Sequence, residues 1–173
     1  MLKIEGAHPY RPTLPMDIIA SSGFSGAMEA LILPPPSLLQ EAFMPGLSLR
    51  ISGQPDTTLA SRIAPQLTAL TSRVLEKRPE LTVVTFQFVP HELWFIDSRS
   101  LIEHSKNAFR LEVTITDETN TKSQKACFQH DAFHLLSELI GNVHAHSNVH
   151  IVDCRASAYG YGGLTQEYRH QHA

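Results

Sequence analysis

Leu47, Leu49 and Ile51 alternate with Ser48, Arg50 and Ser52. Successive side chains of a strand point to opposite faces, so this alternation predicts a strand over Gly46–Ser52 with one buried face. Gly53-Gln54-Pro55-Asp56 reads as a turn. Asp56 or Thr57 is placed to cap a following helix, because a short side-chain oxygen accepts the first-turn amides that have no intrahelical partner. Leu59, Ile63, Leu67, Leu70 and Val74 then recur at three- and four-residue steps and form one apolar stripe. Pro65 within this helix predicts a kink, and Arg78-Pro79 predicts its end. Leu81–Val89 is expected as a second strand, with Val83, Thr85, Gln87 and Val89 on one face and Val84, Phe86 and Phe88 on the other. Pro90 stops it. His91–Phe95 is expected as an aromatic loop and Asp97–Asn107 as a polar connection.

The same plan then recurs. Ala108–Thr116 predicts a strand with Leu111, Val113 and Ile115 inward, and Asp117–Asn120 turns the chain. Thr121–Val143 predicts a helix carrying Phe128, Ala132, Leu135, Leu139 and Val143, with Gly141 and Asn142 at its fraying end. Val149–Cys154 is the fourth strand. Ser157–Gly163 is rich in Gly and Tyr, and Leu164–Arg169 is expected to pair as a short edge hairpin. The fold class is therefore α+β: two consecutive β-α-β units forming a four-stranded sheet with both helices on one face. Each helix joins parallel strands, by a right-handed crossover. The other sheet face is left bare, and a second subunit is expected to cover it. Residues 1–43 follow no such pattern. Pro9, Pro12, Pro15 and Pro34–Pro36 break any long element, and the stretch reads as a poorly structured arm. The domain is expected over 44–173, with repeats at 45–107 and 108–169.

Composition narrows the function classes. A formal charge of -3 gives no basic footprint for nucleic acid and no basic face for a membrane. The apolar runs are too short to span a bilayer, and no convincing secretory signal is present. The two cysteines, Cys127 and Cys154, make no disulfide framework; both sit in apolar stretches and read as reduced, buried thiols of a cytoplasmic protein. Cys127, His130 and His134 fall at helical spacing, but they supply only three ligands beside an apolar stripe, and a solvated helix flank is favoured. No metal and no cofactor is expected.

Candidate chemistry centres on Met44-Pro45, directly before the first strand. With Leu81-Thr82-Val83-Val84 entering the second strand, and Tyr159-Gly160-Tyr161-Gly162-Gly163-Leu164-Thr165-Gln166-Glu167-Tyr168-Arg169 at the close, it resembles the tautomerase superfamily, whose type member is 4-oxalocrotonate tautomerase. The resemblance covers residues 44–169, and the double length is similar to that of the fused, two-repeat members. It implies a homotrimer acting on a small molecule, with an amino-terminal proline as the catalytic group. A free α-amino group titrates near ~8. An apolar pocket or nearby cations disfavour its ammonium form and lower that value. The neutral amine can then take a proton from a carbon beside a carbonyl and return it elsewhere. Acylated by Met44, the same nitrogen has no proton to give and almost no basicity.

The sequence therefore poses the question of the start. A start at Met44 followed by methionine removal would free Pro45. Gln40-Glu41-Ala42 can be encoded with an embedded AGGAGG, a ribosome-binding core a short distance upstream, so Met44 is favoured over Met1. Proteolytic trimming of the arm is the other route to a free amine. In the type enzyme arginines grip a dicarboxylate. Here Gln54-Pro55, Thr85, Asp117-Glu118 and His150 stand at the corresponding places, which puts a dianionic substrate in doubt. Arg99, Lys106 and Arg155 remain as grips for one carboxylate. Trp94 with Phe95, and Tyr159, match the aromatic positions of the two repeats, as a pocket wall, an enolate donor or subunit-interface rings. The reading is an isomerase that moves a proton on a small enol or 2-keto acid through Pro45. The alternatives are a decarboxylase or hydratase-type member of the same superfamily, and a catalytically silent oligomeric binding protein if Pro45 stays acylated.

Overall fold

A computed structural model describes residues 44–172. The expected arm, 1–43, lies outside the described residues.

The first repeat is β1 (Gly46–Ser52), α1 (Thr57–Leu75) and β2 (Val83–Val89). Asp56 caps α1 through its carboxylate, which accepts the Leu59 amide at 2.9 Å. The helix runs on through Pro65, whose ring is on the exposed side. It ends at Leu75, where Glu76 takes a left-handed conformation, φ 56°. The second strand starts at Val83 rather than Leu81, because Pro79–Leu81 closes a single 3-10 turn.

The connection at 90–108 is more ordered than its polarity suggested. It forms a 3-10 turn at His91–Leu93, a hairpin of β3 (Phe95–Ile96) and β4 (Arg99–Ser100), and a one-turn helix, α2 (Leu101–His104). The cause is local: Ser100 and Glu103 make a reciprocal capping box, and Asp97 and Ser98 both accept positive φ at the hairpin tip.

The second repeat is β5 (Phe109–Thr116), α3 (Lys122–Ile140) and β6 (Asn148–Cys154). Thr121 and Gln124 form the capping box of α3. The helix stops at Ile140, short of Val143, as Gly141 and Asn142 turn to positive φ and Val143 bridges to Asn107. Phe128, Ala132 and Leu136 are its fully buried residues; Leu135, expected on the stripe, sits at its margin. The chain closes with a hairpin of β7 (Gly160–Tyr161) and β8 (Leu164–Thr165), followed by α4 (Gln166–Gln171) where strand was expected. Thr165 starts that helix by accepting the Tyr168 amide at 3.1 Å.

The sheet order is β2-β1-β5-β6, with β1 parallel to β2, β5 parallel to β6, and β1 antiparallel to β5. Leu47, Leu49 and Ile51 pair across from Val113, Leu111 and Phe109, and all six are buried beneath Ile63, Leu67, Phe128 and Leu136 of the two helices. Burying such side chains contributes about 1.5–3 kcal/mol each, which fixes the strand register. The opposite sheet face carries no layer among the described residues. Ser48, Arg50, Thr85, Gln87 and His150 are exposed on it.

Candidate active site

Pro45 is buried at the entrance to β1, and its carbonyl accepts the Val83 amide at 3.1 Å, which ties the starts of β1 and β2 together. Because β5 runs against β1, β5 and β6 finish at this same end. The segments that meet beside Pro45's end of the sheet are therefore the α1–β2 link, the β5–α3 turn and the residues after β6.

Outward from Pro45 the open face is built of cross-strand rows. Val83, Gly46, Thr114 and Val152 make the first, and Thr85, Ser48, Glu112 and His150 the second. A cavity of about 200 Å³ opens over these two rows, lined by Gly46, Leu47, Ser48, Val83, Thr85, Glu112 and Thr114. Its side-chain polar groups are hydroxyls and one carboxylate; among the described residues no cation lines it.

Tyr159 lies at this end. Its hydroxyl hydrogen-bonds Thr116 Oγ1, and its carbonyl accepts the amide of buried Gln166. Burial pushes the hydroxyl above its ordinary value; the hydrogen bonds to Thr116 and Gln166 oppose that shift, and Cys154 adds to it. The group therefore stays a protonated donor through neutral pH. A cavity of about 250 Å³ flanks it, lined by Ser157, Ala158, Tyr159, Gly160, Gly163, Leu164 and Thr165. Gly160 is required there, since a Cβ would collide with the Leu164 carbonyl across the hairpin. Arg169 clamps the same hairpin, its guanidinium 3.8 Å from the Tyr161 ring centroid and one nitrogen donating to the Tyr161 carbonyl at 2.9 Å.

One residue at this end has no counterpart in the sequence reading. Lys77, between α1 and β2, is only 5 % exposed, and its ammonium donates to Thr119 Oγ1 at 2.9 Å. Thr119 Oγ1 in turn donates to the Thr116 carbonyl at 2.6 Å. Thr116 thus joins Lys77 and Tyr159 in one polar network. A buried ammonium is costly unless it is hydrogen-bonded, and the Thr119 hydroxyl supplies one such bond.

The other expected site residues divide by sheet end. Arg155, exposed just after β6, shares the Pro45 end. Trp94, Arg99 and Lys106 do not. Their segment follows β2, at the finish of β1, roughly 20 Å along the strand from Pro45. There Trp94 is half-buried with its carbonyl accepting the Leu101 amide, Arg99 contacts Glu103, and Lys106 donates to Asn142 Oδ1 at 2.7 Å. Cys127 is exposed, and Cys154 half-buried, against the expectation of two buried thiols. Cys127 precedes buried Phe128 by one residue and so lies off the packed stripe. His130 and His134 are exposed on α3 with rings 4.4 Å apart, and His130 Nδ1 meets Asp131 at 3.1 Å. Among the described residues no group of three or more His, Cys, Asp or Glu side chains is arranged to hold a metal ion. No helix among them is long and apolar enough to cross a membrane.

The fold is that of two-repeat tautomerase-like chains. A native fused 4-OT superposes with a TM-score of 0.62 at 16 % identity, covering 71 % of this chain and 97 % of its own. A fused 4-OT described as a wild-type symmetric trimer gives 0.62 at 12 % identity, covering 70 % and 96 %. A macrophage migration inhibitory factor-like protein from Entamoeba histolytica gives 0.59 at 12 % identity, covering 70 % and 98 %. No protein-family model matches the chain, and no curated protein matches it in sequence.

Proposed function

We propose that this chain is a tautomerase-superfamily isomerase that uses the Pro45 nitrogen, once freed from Met44, to move a proton on a small enol or 2-keto acid. The observation that carries the reading is the position of Pro45. It is a buried proline at the entrance of the first strand of a fused 4-OT-like fold, and the next residue, Gly46, lines a cavity. The pyrrolidine ring holds the nitrogen lone pair in one direction. The burial of Pro45 at the edge of the apolar core disfavours a positive charge there, so the amine is neutral at working pH and acts as base. The charge that develops on the substrate oxygen is met by the Tyr159 hydroxyl at the same end. The proton then returns from Pro45 to a second carbon.

The working unit in this reading is a homotrimer. Leu93, Phe95 and Ile102 are 67 %, 60 % and 59 % exposed beside Trp94, and Val83 and Val152 are exposed on the open face. Isolated apolar side chains are ordinary on a surface, but this clustering beside an uncovered sheet suits subunit contact. Trp94, Arg99 and Lys106 of one copy then serve the Pro45 cavity of a neighbour, with Arg155 supplied in the same copy.

The test is a comparison of a protein beginning at Pro45, its Pro45→Ala variant and a protein beginning at Met1 in ketonisation of phenylenolpyruvate and 2-hydroxymuconate. The Pro45-started protein should exceed both others by about 100-fold or more, the ordinary scale of general acid–base catalysis. Equal rates in all three would leave a non-catalytic oligomer. Turnover confined to decarboxylation or hydration substrates in a wider panel would move the chain to another reaction of the same superfamily.

A further inference from the structure

The third row of the open face is Gln87, Arg50, Arg110 and Asn148. Arg50 and Arg110 are direct cross-strand partners at the centre of the sheet. Directly opposed like charges on paired strands destabilise a sheet. Their flanking partners do not neutralise them. Arg50 Nε donates to the Gln87 side-chain oxygen at 2.9 Å, a neutral amide, and Asn148 on the other side is neutral as well. A single carboxylate, Glu112, stands 3.6 Å from Arg110. Two polar atoms of the row are buried without a partner, Arg110 Nε and Asn148 Oδ1. Among the described residues, the two guanidinium groups of the row thus meet one carboxylate, from the adjacent row, within a chain whose formal charge is -3.

We propose that this row is a binding site for a small oxyanion with two or more negative charges, either an inorganic phosphate or a polycarboxylate. Guanidinium forks bind both through paired, charge-assisted hydrogen bonds. The anion relieves the Arg50–Arg110 repulsion, and the Gln87 amide holds Arg50 in place. The site adjoins the proline cavity, whose edge is the row of Ser48 and Glu112, but none of its four residues lines that cavity. It is complete on one sheet. A threefold arrangement of open faces would bring three such rows around one axis and raise the charge of the anion preferred.

Isothermal titration in phosphate-free, low-salt buffer tests this, with phosphate, citrate and acetate as separate titrants against the full chain. Phosphate or citrate should bind, acetate far more weakly, and the stronger of the first two names the source. Arg50→Gln and Arg110→Gln should each weaken binding by about tenfold or more. Both side chains project from the open face rather than the core, and circular dichroism checks that the variants are folded. A second readout covers altered stability. In oxyanion-free buffer Arg50→Gln should unfold at a higher temperature than the unaltered protein, and added phosphate or citrate should reverse that order. No heat with either polyanion, or equal binding by both variants, overturns the site. Catalysis at Pro45 and trimer formation are read by other assays, so their failure is told apart from this one.

Discussion

At the scale of single residues, the candidate chemistry rests on Pro45 and Tyr159, with buried Lys77 at the same end, and these differ in how far the sequence reveals them. Pro45 is legible because a proline at a strand entrance is visible in any β-α-β reading. Tyr159 is legible through the Gly-Tyr-Gly-Gly close. Lys77 is not, because its partner Thr119 lies 42 residues away in the second repeat, and a lone lysine near a helix end carries no periodic signal. Tyr159 gives a sharp prediction. Its raised pKa keeps the hydroxyl protonated, so Tyr159→Phe should lower kcat about tenfold or more by removing a donor, without moving the neutral-range midpoints of the pH–rate profile. A midpoint that shifts or disappears in Tyr159→Phe would assign the titrating group to the tyrosine instead of the proline. The sign for stability is also set: with the folded pKa raised above 10.0, the hydroxyl's contribution is full below that pH and is lost as pH rises through the folded value.

Among the elements, the alternation at Gly46–Ser52 and the stripe from Leu59 to Val74 placed the first strand and helix, since both report burial against one layer. The hairpin at Phe95–Ser100 and the closing helix Gln166–Gln171 escaped the same reading. They are fixed by caps and positive-φ turns over a few residues, too short for a period to emerge. The links at the far end carry a pH-sensitive group. His144 packs edge-on against His104 at 4.9 Å and beside His146 at 5.3 Å, with Lys106 nearby. Burial first, and then these neighbours, hold its pKa below 6.5. A depressed value means stability that is present above about pH 6.5 and lost as pH falls through the folded value. The urea midpoint should therefore drop between pH 7.5 and pH 5.5, and His144→Gln should flatten that dependence. An unchanged slope in the variant would remove His144 from the account.

For the whole molecule, the open sheet face and the opposed ends of the two repeats bear on one property. A single copy separates Trp94, Arg99 and Lys106 from Pro45 by the length of the sheet, so the pocket proposed here is complete only between copies. Light scattering of the Pro45-started protein should give three times the chain mass. Phe95→Glu, at a 60 % exposed position outside the core, should reduce that mass and the turnover together while leaving circular dichroism unchanged. Full activity in a monomer would contradict the shared pocket. The central claim is still narrower, namely that the Pro45 nitrogen is an amine when the protein works. Mass spectrometry of the amino-terminal peptide from protein isolated from its native host reads this directly. The account predicts a peptide that begins at Pro45 with an unmodified nitrogen. An intact peptide spanning Phe43–Pro45 as the sole form would contradict it.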